Sequence, residues 1–539
     1  MTTDDSTAGD DQPASFESRD PATDAVIGSH HIHTAAEVND AVGRARVATE
    51  FWSALSFAQR SDRLTAWAGA LTRRRKELAE LIHAETGKPR SDAQLEIVIA
   101  IEQLSWAARN ARKVLRTRKV SAGLLGSNDA ATIDYLPYGV VGVIGPWNFP
   151  VFTPMGSIGC ALAAGNTVVY KPSEFAPGVG QFLVQTLGEL VPEAPILQLV
   201  TGFGDTGTAL CRAGVDKIAF TGSAVTARKV MHACADGLVP VIVEAGGKDP
   251  LLVDADADLS AAATSAVWGG LVNAGQTCVG VERIYVHHQV YDDFVDRVVG
   301  LAGQLRAEPG GKIGPMTTPG GPAVVRRHVR DALAHGASAL VGGDISGGDI
   351  SGDDISGGEL AGAGRFVQPT VLVDVPEDAL AVQEETFGPV LTIAAVPDMD
   401  EAVRLANASV YGLGASVFSR RRGAEIAGRL HTGMVSVNSV IAFTGIPALP
   451  FGGVKQSGFG RVHGADGLRE FATTRAVARQ RFAGLLRVAT FARTARTDRS
   501  LATHRQPAPG TQARPADGRA PLTVSVTGSG TPRGSRAGW

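Results

Sequence analysis

Only four cysteines occur in 539 residues: Cys160, Cys211, Cys234 and Cys278. So few, and so widely spaced, they form neither a disulfide framework nor a metal-ligand pattern, and a reducing cytoplasm fits them. Excess charge of one sign is also missing, since 51 Lys and Arg meet 54 Asp and Glu. The net charge of -3 removes the electrostatic case for nucleic acid or an acidic membrane as partner. There is no unbroken apolar run of membrane-spanning length. The most apolar region, Tyr138 to Tyr170, is interrupted by Pro146, Pro150, Pro154 and several glycines, as a buried α/β core with loops would be. The opening MTTDDSTAGDDQP is acidic and polar, unlike a signal or transit peptide.

What is present is the 44% hydrophobic, 19% charged balance of a soluble globular protein. The length exceeds one ordinary core, so two or three domains are expected. Residues 1–15 read as a disordered tail. Helical spacing of apolar residues predicts helices over Ala35–Leu55, Arg60–Thr86 and Ser91 to about Val114, with Gly87 and Pro89 stopping the second. His30, His31 and His33 are close together but have no Cys or carboxylate pattern with them, so they read as solvated loop histidines and no metal is expected.

From Gly139 to Gly247, β-branched strands alternate with helices: VVGVIG, NTVVYK, ILQLV, KIAFTG and PVIVEA. That alternation predicts a mostly parallel sheet covered on both faces, with ligands bound off the carboxyl ends of its strands. KPSE, FTGS and EAGG all fall at such ends. In FTGS, Thr221, Gly222 and Ser223 end a strand and open a helix, so backbone N–H groups there can face a phosphate; a plain tight turn is the competing reading. GFGDTG, at Gly202, Gly204 and Gly207, fits G-x-G-x-x-G after a strand. Residues 342–358 repeat GGDIS-type units that cannot build a core, so a flexible surface loop is expected there. Phe482 to Arg496 interleaves apolar residues with arginine, and from Thr497 the composition predicts disorder.

Cys278 lies in NAGQTCVGVERIYV, where small and polar residues precede it and a strand pattern follows. A loop entering a sheet can present a reactive thiol; a lone cysteine can equally be a packed core residue. The company it keeps bears on that choice. NAGQTC follows PWNFP (Pro146–Pro150), KPSE (Lys171–Glu174) and VEAGG (Val243–Gly247), and precedes EETFGPV (Glu384–Val390) and PFGG (Pro450–Gly453). In order and spacing these blocks resemble the aldehyde dehydrogenase superfamily over roughly residues 15–480.

The resemblance implies a Rossmann-like cofactor domain (16–118 and 138–247), an α/β catalytic domain (248–471, containing the 342–362 loop), a small β oligomerisation element (119–137 and 472–481) and a basic extension (482–539). It implies a small-molecule aldehyde as substrate, a homodimer or homotetramer, and NAD as cofactor, with NADP also possible. Cys278 would be the nucleophile, Glu244 the base that activates water, and Asn148 the donor to the oxyanion. Each suits its role chemically: a thiolate adds to a carbonyl, an amide donates without a charge to lose, and a carboxylate after an apolar strand is open to pKa-raising burial. Without the resemblance, Asn148 reads as a turn cap and Glu244 as a solvated strand end.

Trp147, Lys171, Ser173, Glu174, Gly204, Thr221, Gly222, Ser223, Gly246, Glu385 and Phe387 would line the cofactor site. Glu174, which would repel a 2′-phosphate, points to NAD. Thr277, Val279 and Phe451 would line the substrate pocket. Ala227 and Ala245 depart from the family's usual Gly and Leu. Thr153 and Gly156, where many relatives carry bulk, predict a roomy tunnel for medium or large aldehydes. The GFGRVHG and CVGVERIYV stretches look like those of succinate-semialdehyde dehydrogenases, although no residue clearly suits a distal carboxylate. Rival readings are a dehydrogenase that passes its acyl group to coenzyme A, which Glu244 argues against, and a non-catalytic member.

Overall fold

The computed structural model describes residues 14–123, 126–343, 362–482 and 490–502. Among these, the residues within 14–120 and 132–477 form one compact unit, and those within 121–131 and 478–502 form a second.

The larger unit opens with a hairpin, Ser15–Arg19 paired antiparallel to Val26–His31. This corrects the expectation of loop histidines. His30 and His31 are strand residues, and the His33 ring accepts the Thr201 N–H at 3.1 Å. The Thr201 hydroxyl also donates to the His31 carbonyl at 2.6 Å. These histidines therefore tie the hairpin to the end of strand Leu197–Leu199.

Four helices follow, Ala35–Ala54, Phe57–Arg73, Arg75–Thr86 and Arg90–Leu115. The first two begin with reciprocal capping boxes, Thr34 with Glu37 and Ser56 with Gln59. The predicted single helix Arg60–Thr86 is two, broken at Arg74, whose φ of -94° and ψ of 13° leave the helical region.

The six-stranded sheet runs in the order Gly458–Phe459, Val241–Ala245, Lys217–Gly222, Val140–Ile144, Thr167–Lys171, Leu197–Leu199. All pairs are parallel except that of the edge strand 458–459. From Val140–Ile144 the chain winds outward one way through Thr167–Lys171, then returns to add Lys217–Gly222 on the other side. A crevice therefore opens beyond the carboxyl ends of strands 140–144 and 217–222. Helix Phe152–Ala164 packs beneath it on Arg90–Leu115, with Leu104, Ala107 and Ala108 meeting Ile158 and Leu162 in one buried cluster.

A seven-stranded sheet carries the second half. Its order is Ser338–Val341, Thr370–Val373, Val390–Val396, Val281–His287, Asp249–Val253, Ser416–Phe418, Ser436–Val437. Only its first pair is antiparallel. The expected α/β class with parallel sheets is borne out. Strands Arg118–Val120, Asp129–Pro137 and Ala472–Gln480 form a further, three-stranded sheet.

In the smaller unit, the Arg481 N–H donates to the Asn128 carbonyl at 2.9 Å. A short helix, Ala495–Ala502, lies where disorder was expected from Thr497. Thr494 starts it, its hydroxyl accepting the Thr497 N–H at 3.2 Å. The tail 1–13, the repeat from 344 to 361, residues 483–489 and residues 503–539 lie outside the described residues.

Candidate active site

The loops at the carboxyl ends of the first sheet carry most of the expected site. Trp147 and Asn148 follow strand Val140–Ile144. Lys171 ends its own strand, and Ser173 and Glu174 come just after, the Ser173 hydroxyl donating to Glu174 at 3.2 Å. Gly204 starts helix Gly204–Arg212. Thr221 and Gly222 close strand Lys217–Gly222, and Ser223 caps helix Ala224–Ala235 by accepting the Thr226 N–H at 3.2 Å. These groups suit a dinucleotide. The buried Lys171 ammonium has one hydrogen bond, to the Pro172 carbonyl at 3.0 Å, and helices Gly204–Arg212 and Ala224–Ala235 both begin just after strands of this sheet, where their N–H groups can receive phosphate. No atom lies within 4 Å of where a Cβ on Gly204 would stand. Ala227 turns its methyl into the core beneath, beside Val230 and Val243.

Cys278 sits on a strained turn ahead of strand Val281–His287. Asn273, Ala274 and Gly275 are consecutively left-handed, with φ of 54°, 57° and 74°. Asn and Gly tolerate that region and Ala does not, so local strain of order 1–3 kcal/mol is held by the surroundings. Those are specific. The Asn273 amide donates to the Asn148 and Gln276 carbonyls at 3.1 and 3.2 Å, and buried Gln276 returns a bond to the Asn273 carbonyl at 3.0 Å. A Cβ at Gly275 would lie 2.1 Å from the Gly388 carbonyl oxygen, so only glycine lets these two segments meet. From Asn273 to Gly280, Cys278 alone is not buried.

The Asn148 side chain is buried, and its amide donates to the Gln276 carbonyl at 3.1 Å. An amide has two such hydrogens, so this bond fixes the direction of the other. Glu244, near the end of strand Val241–Ala245, is fully buried, and neither carboxylate oxygen has a partner at hydrogen-bonding geometry. Burial raises its pKa to about 7, with the nearby Cys278 thiol and Thr221 pulling the other way. The half-buried Cys278 thiol is pushed well above its ordinary range, first by loss of solvent around the sulfur at the foot of the pocket and then by Glu244, Asp249 and Glu385. The thiol and Glu244 thus lie together, each favouring its neutral form. Among the described residues no group of three or more His, Cys, Asp or Glu is arranged to hold a metal.

Glu385 and Phe387 reach the crevice from the second sheet. Glu385 accepts the Gly247 N–H at 2.9 Å, and a Cβ on Gly246 would stand 2.1 Å from its carboxylate. Gly246 is therefore needed for that approach. Phe387, at φ 50°, lies edge-on to Trp147 with ring centroids 5.5 Å apart. Buried Glu282 holds the segment by accepting the Thr386 and Phe387 N–H groups at 2.9 and 3.1 Å, and is itself ion-paired with buried Lys248. Sequence reasoning passed over Glu282, Lys248, Asn273 and Gln276. The signal within reach was a charged pair of opposite sign at Lys248 and Glu282, each beside an apolar strand.

A pocket reaches Cys278, and Thr277, Val279, Phe451 and Thr153 are among the residues that line it. Gly156 is not. A Cβ there would lie 2.3 Å from His463 Nε2, so the expected hollow is filled from another element by a fully buried ring. That ring packs between Phe152 and Phe451, with centroids 5.2 and 5.5 Å away, and neither of its nitrogens has a partner. Gly156→Ala is expected to destabilise the fold by about 1–3 kcal/mol through overpacking. Combined with His463→Gly it should cost less than the sum of the two single losses, because the added methyl then meets the space the ring vacates rather than the ring itself. Thermal unfolding of both single variants and the double is the check. An unchanged midpoint in Gly156→Ala would mean the ring moves aside freely.

A model of the aldehyde dehydrogenase family matches residues 8–477. The chain is 38% identical to the 4,4'-diapolycopene aldehyde oxidase of Methylomonas sp over 457 residues, covering 84% of this chain and 83% of that one. It is 34% identical to the glutarate-semialdehyde dehydrogenase of Pseudomonas putida, over 84% of this chain and 91% of the relative. Among solved structures, the NAD-dependent aldehyde dehydrogenase from Sinorhizobium meliloti superposes with a TM-score of 0.81 at 33% identity, covering 87% of this chain and 92% of that one.

Proposed function

The chain belongs to the aldehyde dehydrogenase family, and from that premise we propose that it oxidises an aldehyde to the free carboxylic acid through a thioester on Cys278. The observation that carries the reading is Glu244: a buried carboxylate with no ion-pair partner and no backbone N–H donor, its pKa raised to about 7, whose polar neighbours are the Cys278 thiol and Thr221. A merely structural carboxylate at that depth would be anchored as Glu282 is, by a buried lysine and backbone N–H groups.

The roles follow from the chemistry. The Cys278 thiol, half-buried and open to the pocket, gives up its proton to solvent water, and the thiolate adds to the carbonyl carbon, turning the carbonyl oxygen into an oxyanion. The free hydrogen of the Asn148 amide and the Cys278 backbone N–H are the donors for that oxygen. The bound nicotinamide cofactor supplies a hydride acceptor. Trp147, Lys171, Ser173, Glu174, Gly204, Thr221, Gly222, Ser223, Gly246, Glu385 and Phe387 would hold it, with Glu282 and Gly246 fixing Glu385 and Phe387. When the carbon–hydrogen bond breaks towards that acceptor, the acyl group remains on sulfur. Glu244 then takes a proton from water, the resulting hydroxide displaces the thiolate, and the acid leaves. Glu174, bonded to Ser173, supports NAD over NADP.

Asn148→Ala is expected to lower kcat by about 100- to 1,000-fold with little change in KM, since its donor acts on charge that develops only after addition. A loss confined to KM would assign Asn148 to ground-state binding instead. The reading as a whole is tested by following reduced cofactor at 340 nm with NAD or NADP and a panel of aldehydes, with and without coenzyme A. Turnover that requires coenzyme A would favour the acyl-transferring rival. A homodimer or homotetramer in a reducing cytoplasm completes the reading. The four free cysteines support the compartment, and light scattering tests the assembly. The two curated relatives are named for a diapolycopene aldehyde and for glutarate semialdehyde, which differ in whether a distal carboxylate is present. The tunnel itself has to decide between such classes.

A further inference from the structure

Charge is distributed unevenly along the tunnel to Cys278. Large apolar side chains, Leu95, Ile99, Phe152, Trp268, Ile441 and Phe451, supply much of its wall, and polar residues such as Thr153, Asn273 and Thr444 share it. Two lining residues are acids, Asp92 and Glu96, and among the described lining residues there is no Lys, Arg or His. The nearby cation is Lys88, and it is already engaged. Its ammonium stands 3.8 Å from the centre of the Phe149 ring and is ion-paired with Glu96, both side chains being fully buried. Glu96 in turn accepts the Val151 and Phe152 N–H groups at 2.8 and 3.1 Å, anchoring the start of helix Phe152–Ala164. A substrate carboxylate entering this space would lose its water, find no free cation, and face Asp92.

Leu95 and Trp268 line the tunnel yet remain 45% and 44% exposed, and from that exposure we infer that its mouth lies between these two large apolar side chains. Single exposed apolar residues are ordinary. Two that also wall a tunnel continue its apolar surface outward. At the inner end, His463 fills the hollow at Gly156, so extra room does not lie beside the reacting carbon. Space for a larger substrate runs along the tunnel towards that lip.

We propose that the substrates are neutral, apolar aldehydes of medium to long chain, whose tail lies along Ile99, Phe152 and Phe451 and passes out between Leu95 and Trp268, and that semialdehydes with a distal carboxylate are excluded. This rests on the reading of Cys278 as the nucleophile.

The test is kcat/KM of the full chain for butanal, hexanal, octanal and decanal, beside succinate semialdehyde and 4-aminobutanal. The linear series should rise roughly two- to fourfold per methylene until the tail clears the lip. Succinate semialdehyde should fall at least about a hundredfold below hexanal. Thr153→Arg, which puts a cation on the wall, should narrow that gap at least tenfold while lowering decanal activity. A series that is flat or falls with length overturns the proposal. So does succinate semialdehyde matching octanal, or 4-aminobutanal exceeding it, the last making Asp92 an anchor for an ammonium group. A second readout does not depend on turnover. Decanal should perturb tryptophan emission in Cys278→Ala protein, and Trp268→Phe should remove that signal. If decanal binds so but no aldehyde is oxidised, the tunnel assignment stands and the catalytic reading falls. If aldehydes are oxidised but decanal gives no Trp268 signal, the reverse holds.

Discussion

Cys278→Ala is expected to lower aldehyde turnover by at least about 1,000-fold while leaving cofactor binding and the fold in place. The size of the loss follows from what remains. Without sulfur the site has an oxyanion donor and a base but nothing to carry the acyl group, and hydride would have to leave a hydrated aldehyde that the site is not built to hold. Stability should hardly change. Cys278 alone in its loop is partly accessible, and the strained turn before it is fixed by Asn273, Gln276 and Asn148 rather than by the thiol. The thiol is also neutral near pH 7, since burial and three carboxylates raise its pKa. Wild-type activity should therefore climb with pH as more of the thiol ionises and as Glu244 gains the charge it needs to take a proton from water. The measurements are reduced cofactor at 340 nm, a cofactor titration and a thermal midpoint on the same preparation. Turnover within tenfold of wild type would remove Cys278 from the mechanism. Lost cofactor binding would mean that the substitution had disturbed the site at large.

The chemistry-bearing stretches were legible because they are local. FTGS, EAGG and PWNFP each combine an apolar strand with a turn, and the alternation of strands and helices places all three at one edge of a parallel sheet. What stayed hidden depends on partners far apart in the chain. Gly156 read as space because a missing side chain is a property of one position. That His463, over 300 residues later, fills the space is a property of two. The buried pair Lys248 and Glu282 is concealed in the same way, since either residue alone reads as a solvated charge. The left-handed Asn273–Gly275 turn is invisible at Ala274, whose residue type argues against the conformation that its neighbours enforce. The helix break at Arg74 was missed for another reason: the apolar spacing carries on across it, and no Gly or Pro marks the spot.

Glu244→Gln should separate the two halves of the reaction. Glutamine keeps the shape of the side chain but takes no proton from water. Hydride transfer should therefore proceed once and hydrolysis should stall. Rapid mixing should show a burst approaching one reduced cofactor per subunit, followed by a steady rate about 100- to 10,000-fold below wild type. Mass spectrometry should find the acyl group on Cys278. No burst, with the whole time course slowed, would make Glu244 essential for activating the thiol as well. The pH dependence gives a second signature. With a pKa of about 7, Glu244 is protonated and idle as a base below that value, so hydrolysis should rise through pH 7, and that limb should be absent in the glutamine variant. Stability runs the opposite way. A folded-state pKa above the ordinary carboxylate value means the folded protein holds this proton more tightly than the unfolded chain does. Its contribution is complete below about pH 4.5 and is lost as pH rises through about 7, by roughly 3 kcal/mol in all. Glutamine cannot ionise, so Glu244→Gln should lose less stability than wild type between pH 5 and 8. Asp249 and Glu385, both raised to about 8, leave the remaining slope with the same sign. Equal slopes in the two proteins would mean that Glu244 ionises as an ordinary solvated carboxylate, and the case for it as the base would fail with that result.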